Sequence, residues 1–175
     1  MPEFEANSAG VRFECFLDAG QSLGVWMASA RTAQRAIRVL ALTWDLGGLT
    51  DAVVAARQRG VPVSILVSKK DLRLAHNQRA ILQLMRNHGA EIRGHCPSRM
   101  HAKWWLADST LVVGSCNFTK ASQANFERGV RLAVDDRTRD DLERESEALF
   151  SAGQRFLEGV GVASPPSPEL LRGDG

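Results

Sequence analysis

Short runs dense in aliphatic and β-branched residues, at 37–42, 61–67 and 90–93, alternate with stretches whose apolar residues recur at helical spacing. A chain written this way has few options, because a strand followed by a helix and another strand folds most readily into a sheet with crossover helices packed on it. The remaining segments extend the pattern. Residues 11–17 read as a first strand, 21–33 as a helix and 36–44 as the second strand. A helix follows at 49–59, with Leu49, Val53 and Ala56 on one side and Gly60 at its end. After the 61–67 strand, in which Pro62 is tolerable near the start, comes a helix at 77–87 carrying Ile81, Leu84 and Met85. A strand at 129–134 and an amphipathic helix at 139–157, with Leu142, Leu149 and Phe156 seven residues apart, complete the set. The expected fold class is α/β: a mostly parallel mixed central β-sheet with helices on both faces.

With 175 residues and 44% hydrophobic content, the chain can bury one core. Residues 11–157 are expected to form the domain, residues 1–10 a flexible N-terminus, and 158–175, rich in Gly, Pro and Ser, a disordered tail. No window of about eighteen apolar residues is present to span a bilayer, and Met-Pro-Glu-Phe-Glu lacks the basic and apolar regions of a secretory signal. A cytoplasmic location is therefore expected. Cys15, Cys96 and Cys116 form neither a disulfide framework nor a Cys-x-x-Cys site, and a small buried thiol is the expected state of Cys116. His95, Cys96 and His101 follow no established ligand spacing, so no metal and no cofactor are expected.

Charge is uneven although the formal net is only +2. From Lys69 to Lys103 there are eight Lys or Arg against two acids, and all four histidines lie between His76 and His101. Such a stretch can present a positive surface to a polyanion, or can decorate an ordinary solvated helix with Lys69, Lys70, Arg73 and Arg79. The aromatic content of 6%, with no Tyr, gives little support for extended base stacking. Trp104 and Trp105 are expected to divide between the core and the rim of the site.

That basic stretch leads into one run, His101-Ala-Lys103-Trp-Trp-Leu-Ala-Asp108 followed by Gly114-Ser115-Cys-Asn117. Residues 100–107 and 111–115 suit strands and Asp108-Ser109-Thr110 suits a turn, which together predict a β-hairpin. On an extended strand His101, Lys103 and Trp105 share a face, setting an imidazole beside an ammonium. Imidazole can attack phosphorus or carry a proton near neutral pH, and the ammonium can stabilise charge on phosphoryl oxygens. The return strand would bring Ser115 and Asn117 to the same end as hydrogen-bond donors.

The run resembles the signature of the phospholipase D superfamily, His-x-Lys-x4-Asp followed by Gly-Ser-x-Asn, and the likeness continues to Asn125 and Glu127 as that family's downstream Asn-x-Glu. Five residues, one fewer than the family's usual six, separate Asp108 from Gly114. A slip of one residue in a strand would reverse its faces, which bears on the aim of Ser115. The resemblance is to the single-motif, Nuc-type endonuclease branch, over about residues 11 to 157. It implies a metal-independent phosphodiesterase working through a covalent phosphohistidine at His101, with Lys103, Ser115 and Asn117 binding phosphate and Glu127 orienting the imidazole. Asp108 and Gly114 would be structural members of the motif. Because the chain carries one motif histidine, the resemblance also implies a homodimer that brings two His101 rings together. DNA or RNA is the expected substrate. The alternatives are a phospholipid of the cardiolipin type, or a catalytically silent nucleic-acid-binding module.

Overall fold

The computed structural model describes residues 10–68, 76–95 and 101–155. Along the chain run β1 (Val11–Leu17), α1 (Ala19–Thr32), β2 (Ile37–Ala41), α2 (Gly47–Gln58), β3 (Val63–Ser68), α3 (His76–Asn87) and β4 (Glu91–His95). Then follow β5 (Trp104–Ala107), β6 (Thr110–Gly114), α4 (Lys120–Gln123), β7 (Gly129–Val134), α5 (Asp136–Ala152) and β8 (Gln154–Arg155). Among the described residues, eight strands join one sheet in the order β1-β7-β6-β5-β2-β3-β4-β8.

The α/β class and the mixed sheet are as the sequence implies, but the parallel part is smaller. Only β2–β3 and β3–β4 pair parallel, while the other five pairings are antiparallel. The reason lies in the connections. Helical crossovers join β2 to β3 and β3 to β4, whereas β5 and β6 are joined by a two-residue turn, which permits only antiparallel pairing.

Alternation along the strands divides the core. Val39, Ile65, Trp105 and Val112 face α1 and α2 in the main cluster, where Leu49, Val53 and Ala56 of α2 are fully buried. Leu106, Leu111 and Val134 face the other way, with Trp104, Leu132 and Leu142 of α5 packed against them. Trp105 is thus wholly in the core, and Trp104 packs on the opposite face.

Two helices present faces other than those expected. In α3 the buried residues are Leu82 and Met85, with Ile81 packed beside them, and Leu84 is exposed. In α5 the inward residues are Arg139, Leu142, Ser146 and Phe150, spaced at three and four, while Leu149 is 37% exposed. The buried arc is centred on Arg139, Ser146 and Phe150, so Leu142 lies at its edge and Leu149, about 20° further round, falls outside it. The helix also starts earlier than expected and ends at Ala152, where Gly153 turns the chain into β8 against β4. Phe156, Cys96 and the segments 1–9 and 156–175 lie outside the described residues.

Side-chain caps begin the helices at α1 and α5. Asp18 and Gln21 form a reciprocal capping box, and Asp135 accepts from the Thr138 N–H at 2.8 Å. At the outer edge of the sheet, the β1–β7 register slips between Phe13 and Cys15. That bulge brings Phe13 and Phe16 within 4.9 Å of each other, both exposed.

Asp108 occupies the β5–β6 turn with φ +50°, a left-handed conformation that Asp tolerates better than most residues. Its carboxylate accepts from the backbone N–H groups of Gln34 and Arg35, each at 2.9 Å, and of Ala36 at 3.2 Å. The turn is thereby tied to the loop before β2.

Replacing Asp108 by Ala removes those charge-assisted bonds and strains the turn, and should cost about 2–3 kcal/mol in chemical denaturation. Asp108→Gly should recover about 1 kcal/mol of that loss, the share due to backbone conformation. The Thr138 backbone N–H, and then its hydroxyl, hold the Asp135 carboxyl below the ordinary aspartate range. A depressed folded value means that the cap stabilises fully above about pH 4 and less as pH falls through it. Unfolding measured against pH should show this component in the wild type and not in Asp135→Ser, whose hydroxyl caps without titrating there.

Candidate active site

Lys103 is the residue immediately before β5, and its carbonyl accepts from the Gly114 N–H at 3.4 Å, the last rung of the hairpin. The hairpin therefore ends where the motif side chains begin. His101 is exposed and Lys103 is only 7% exposed. The lysine Nζ lies 2.7 Å from His101 Nδ1 and 3.2 Å from Nε2, and donates to the His101 carbonyl at 2.7 Å. An ammonium donates to a ring nitrogen only where that nitrogen carries a lone pair, so the tautomer of His101 decides which of the two accepts from Lys103.

The second half of the site stands on the neighbouring strands. Gly114 of β6 faces Gly129 of β7, and a Cβ at Gly114 would lie 2.6 Å from the Arg128 carbonyl oxygen and 2.7 Å from the Gly129 Cα. Glycine is required here for the approach of two backbones rather than for an unusual φ. Just beyond, Ser115 and Arg128 exchange backbone contacts. The Ser115 N–H donates to the Arg128 carbonyl at 2.9 Å, and the Arg128 N–H donates to Ser115 Oγ at 3.1 Å. Ser115 Oγ in turn donates to Glu127 Oε2.

The structure thus joins His101 to Lys103 and Ser115 to Glu127, on neighbouring strands at one end of the sheet. It does not join Glu127 to His101: the carboxylate meets Ser115, and the imidazole meets Lys103. Asp108 lies at the opposite end of the hairpin, at the turn. Asn117 sits in the turn after β6, where its N–H donates to Ser122 Oγ at 3.2 Å and its side-chain Oδ1 is buried with no hydrogen-bond partner.

Several contributing residues do not stand out in the sequence. Ser122 and Thr119 organise the short α4, which caps itself through Thr119 Oγ1. Asp45 accepts from the Lys120 N–H at 2.6 Å, and Trp44 bridges to Phe118, fixing the chain around Asn117 from beneath. The hydroxyl, carboxylate and indole types at these positions are too common to mark them beforehand. Burial, and then the charge of Glu127, push the Cys116 thiol up to about 11, which keeps it protonated near neutral pH. Among the described residues, no group of three or more His, Cys, Asp or Glu is placed to hold a metal ion. The side chain of His95 is outside that set. Also among them, no helix is long and apolar enough to cross a membrane.

Residues 27–150 match the family model described as cardiolipin synthase, PLD-like domain. Comparison with curated proteins finds no match. Among solved structures, the chain is similar to a phospholipase D family member, Nuc from Salmonella typhimurium, with TM-score 0.73 and 23% identity, covering 83% of this chain and 97% of that one. NucT from Helicobacter pylori gives TM-score 0.72 and 14% identity over 83% of this chain and 100% of that one. The archaeal chromatin protein TrmBL2, whose structure shows a novel mode of DNA binding, gives TM-score 0.59 and 18% identity over 87% of this chain and 57% of that one. A family match of this extent, on a sheet whose one end carries the motif side chains, means that the chain belongs to the phospholipase D-like superfamily of phosphodiesterases.

Proposed function

We propose that this chain is a metal-independent nuclease that cleaves DNA or RNA through a covalent phosphohistidine. The observation that carries the reading is the contact of the His101 ring with Lys103, one strand away from the Ser115–Glu127 pair. A bound phosphodiester offers Lys103 a stronger acceptor than imidazole, which frees the ring nitrogen to attack phosphorus. A P–N bond forms and the P–O bond to the departing nucleotide breaks. Lys103 and Asn117 stabilise the charge that develops on the phosphoryl oxygens, and Ser115 adds a further hydroxyl. Glu127 acts on this centre by holding Ser115 in place.

The leaving oxygen needs a proton, and the one motif histidine is already committed as nucleophile. The second group is His101 of a second copy, its imidazolium giving that proton and then, as a neutral ring, taking one from the water that breaks the P–N bond. The homodimer supplies both rings at one phosphorus. Nucleic acid is favoured as substrate by the basic stretch leading into the motif and by the fold shared with a DNA-binding chromatin protein. The family description, cardiolipin synthase, favours a second reading, a phospholipid phosphodiesterase.

In assays with single-stranded DNA, duplex DNA, RNA and cardiolipin vesicles, nucleic-acid cleavage should persist in EDTA and fall at least about a thousandfold in His101→Asn. Mass spectrometry of the quenched wild type should find a phosphoryl adduct on His101. Cleavage of cardiolipin alone would establish the second reading, and activity restored only by added metal would exclude the metal-free mechanism. Sedimentation should give about twice the chain mass of 19.1 kDa, and a fully active monomer would rule out the shared site.

A further inference from the structure

Phe126 is 85% exposed, a large apolar ring in water immediately before Glu127. It is not loose: the Arg128 guanidinium lies over its face, 4.4 Å from the ring centroid, and is itself exposed. Arg128 is in turn fixed by its backbone to Ser115. Phe126 and Arg128 flank Glu127, the residue that meets Ser115. The pair thus stands on the segment that carries Glu127, one residue to either side of it. An exposed aromatic face joined to a cation, on the segment that brings Glu127 to Ser115, matches a polyanion that also carries flat, apolar rings.

We infer that Phe126, backed by Arg128, is a stacking platform for the base of a nucleotide next to the phosphate held at His101 and Lys103. The inference rests on the nuclease reading and narrows it. A base within a duplex has both faces covered by its neighbours, so the platform accepts an unpaired base, and the substrate class is single-stranded nucleic acid. The recognition is indifferent to sequence, because every base presents a π-face. Arg128 contributes both stacking and attraction for the backbone.

The test compares wild type, Phe126→Ala and Phe126→Trp on a single-stranded oligonucleotide and on an abasic strand of the same length. Phe126→Ala should raise KM for the base-bearing strand about 5- to 150-fold, leave the abasic strand unchanged, and be rescued by Trp. Unchanged cleavage of the base-bearing strand by Phe126→Ala would overturn the inference while leaving the nuclease reading intact. An equal loss on both strands would do the same, showing that Phe126 merely supports Glu127. Loss of binding to cardiolipin vesicles with oligonucleotide cleavage intact would assign the ring to a lipid surface, and a halved sedimentation mass would assign it to a second copy. Failure of the wild type to cleave any nucleic acid would overturn both the inference and the reading beneath it.

Discussion

The carboxylate of Asp108 fixes the frame on which the site is built. By accepting three backbone N–H groups from residues 34–36, it joins the hairpin tip to the start of β2. From that point the antiparallel register runs Ile37 to Ala107, Arg38 to Leu106, Val39 to Trp105 and Leu40 to Trp104. A hairpin anchored at one end delivers its other end at a set height. That end is where Lys103 leaves the sheet and Gly114 meets β7. A slip of one residue would turn Trp105 out of the core and Trp104 into it, so packing and the carboxylate clamp enforce the same register.

Beneath the motif lies a group of aromatic rings. Trp44 stacks on Phe118 with centroids 5.1 Å apart, and Trp26 meets the same Phe118 at 4.4 Å. Trp44 donates its indole N–H to Thr50 at 3.0 Å, and Trp105 donates to Ser29 at 2.9 Å. Large rings with few rotamers make a stiff floor, anchored by the indole bonds of Trp44 and Trp105, while the buried Trp26 N–H has no partner among the described residues. Phe118 directly follows Asn117, so the floor sets the path of the chain that carries the Asn117 amide.

Period-based signals in the sequence disclose much of this architecture. β1 and β7 fall on the residues expected, and the hairpin turns at Asp108, because strong alternation and a turn-forming pair agree locally. The proportion of parallel pairing is less legible, since strand direction is decided by how connections pack and not by the strands themselves. The inward face of α5 is obscured because a buried Arg139, paired with Asp136 and Asp140, takes a place that a hydrophobic count would not assign it. At the site, residue types and spacing point to His101, Lys103 and Ser115. The partner that Glu127 meets is set by the β6–β7 contact at two glycines, a long-range approach that no local pattern encodes.

The slipped register in β1 has a consequence for how the molecule meets others. An outermost strand offers unpaired backbone groups, and one lined with phenylalanines would invite another chain to extend the sheet. The extra residue between Phe13 and Cys15 breaks the regular spacing that such an addition requires, and Glu14 is held there by Arg131. The edge thus displays two aromatic rings on a strand whose regular spacing is broken, which works against open-ended stacking without removing the apolar surface itself.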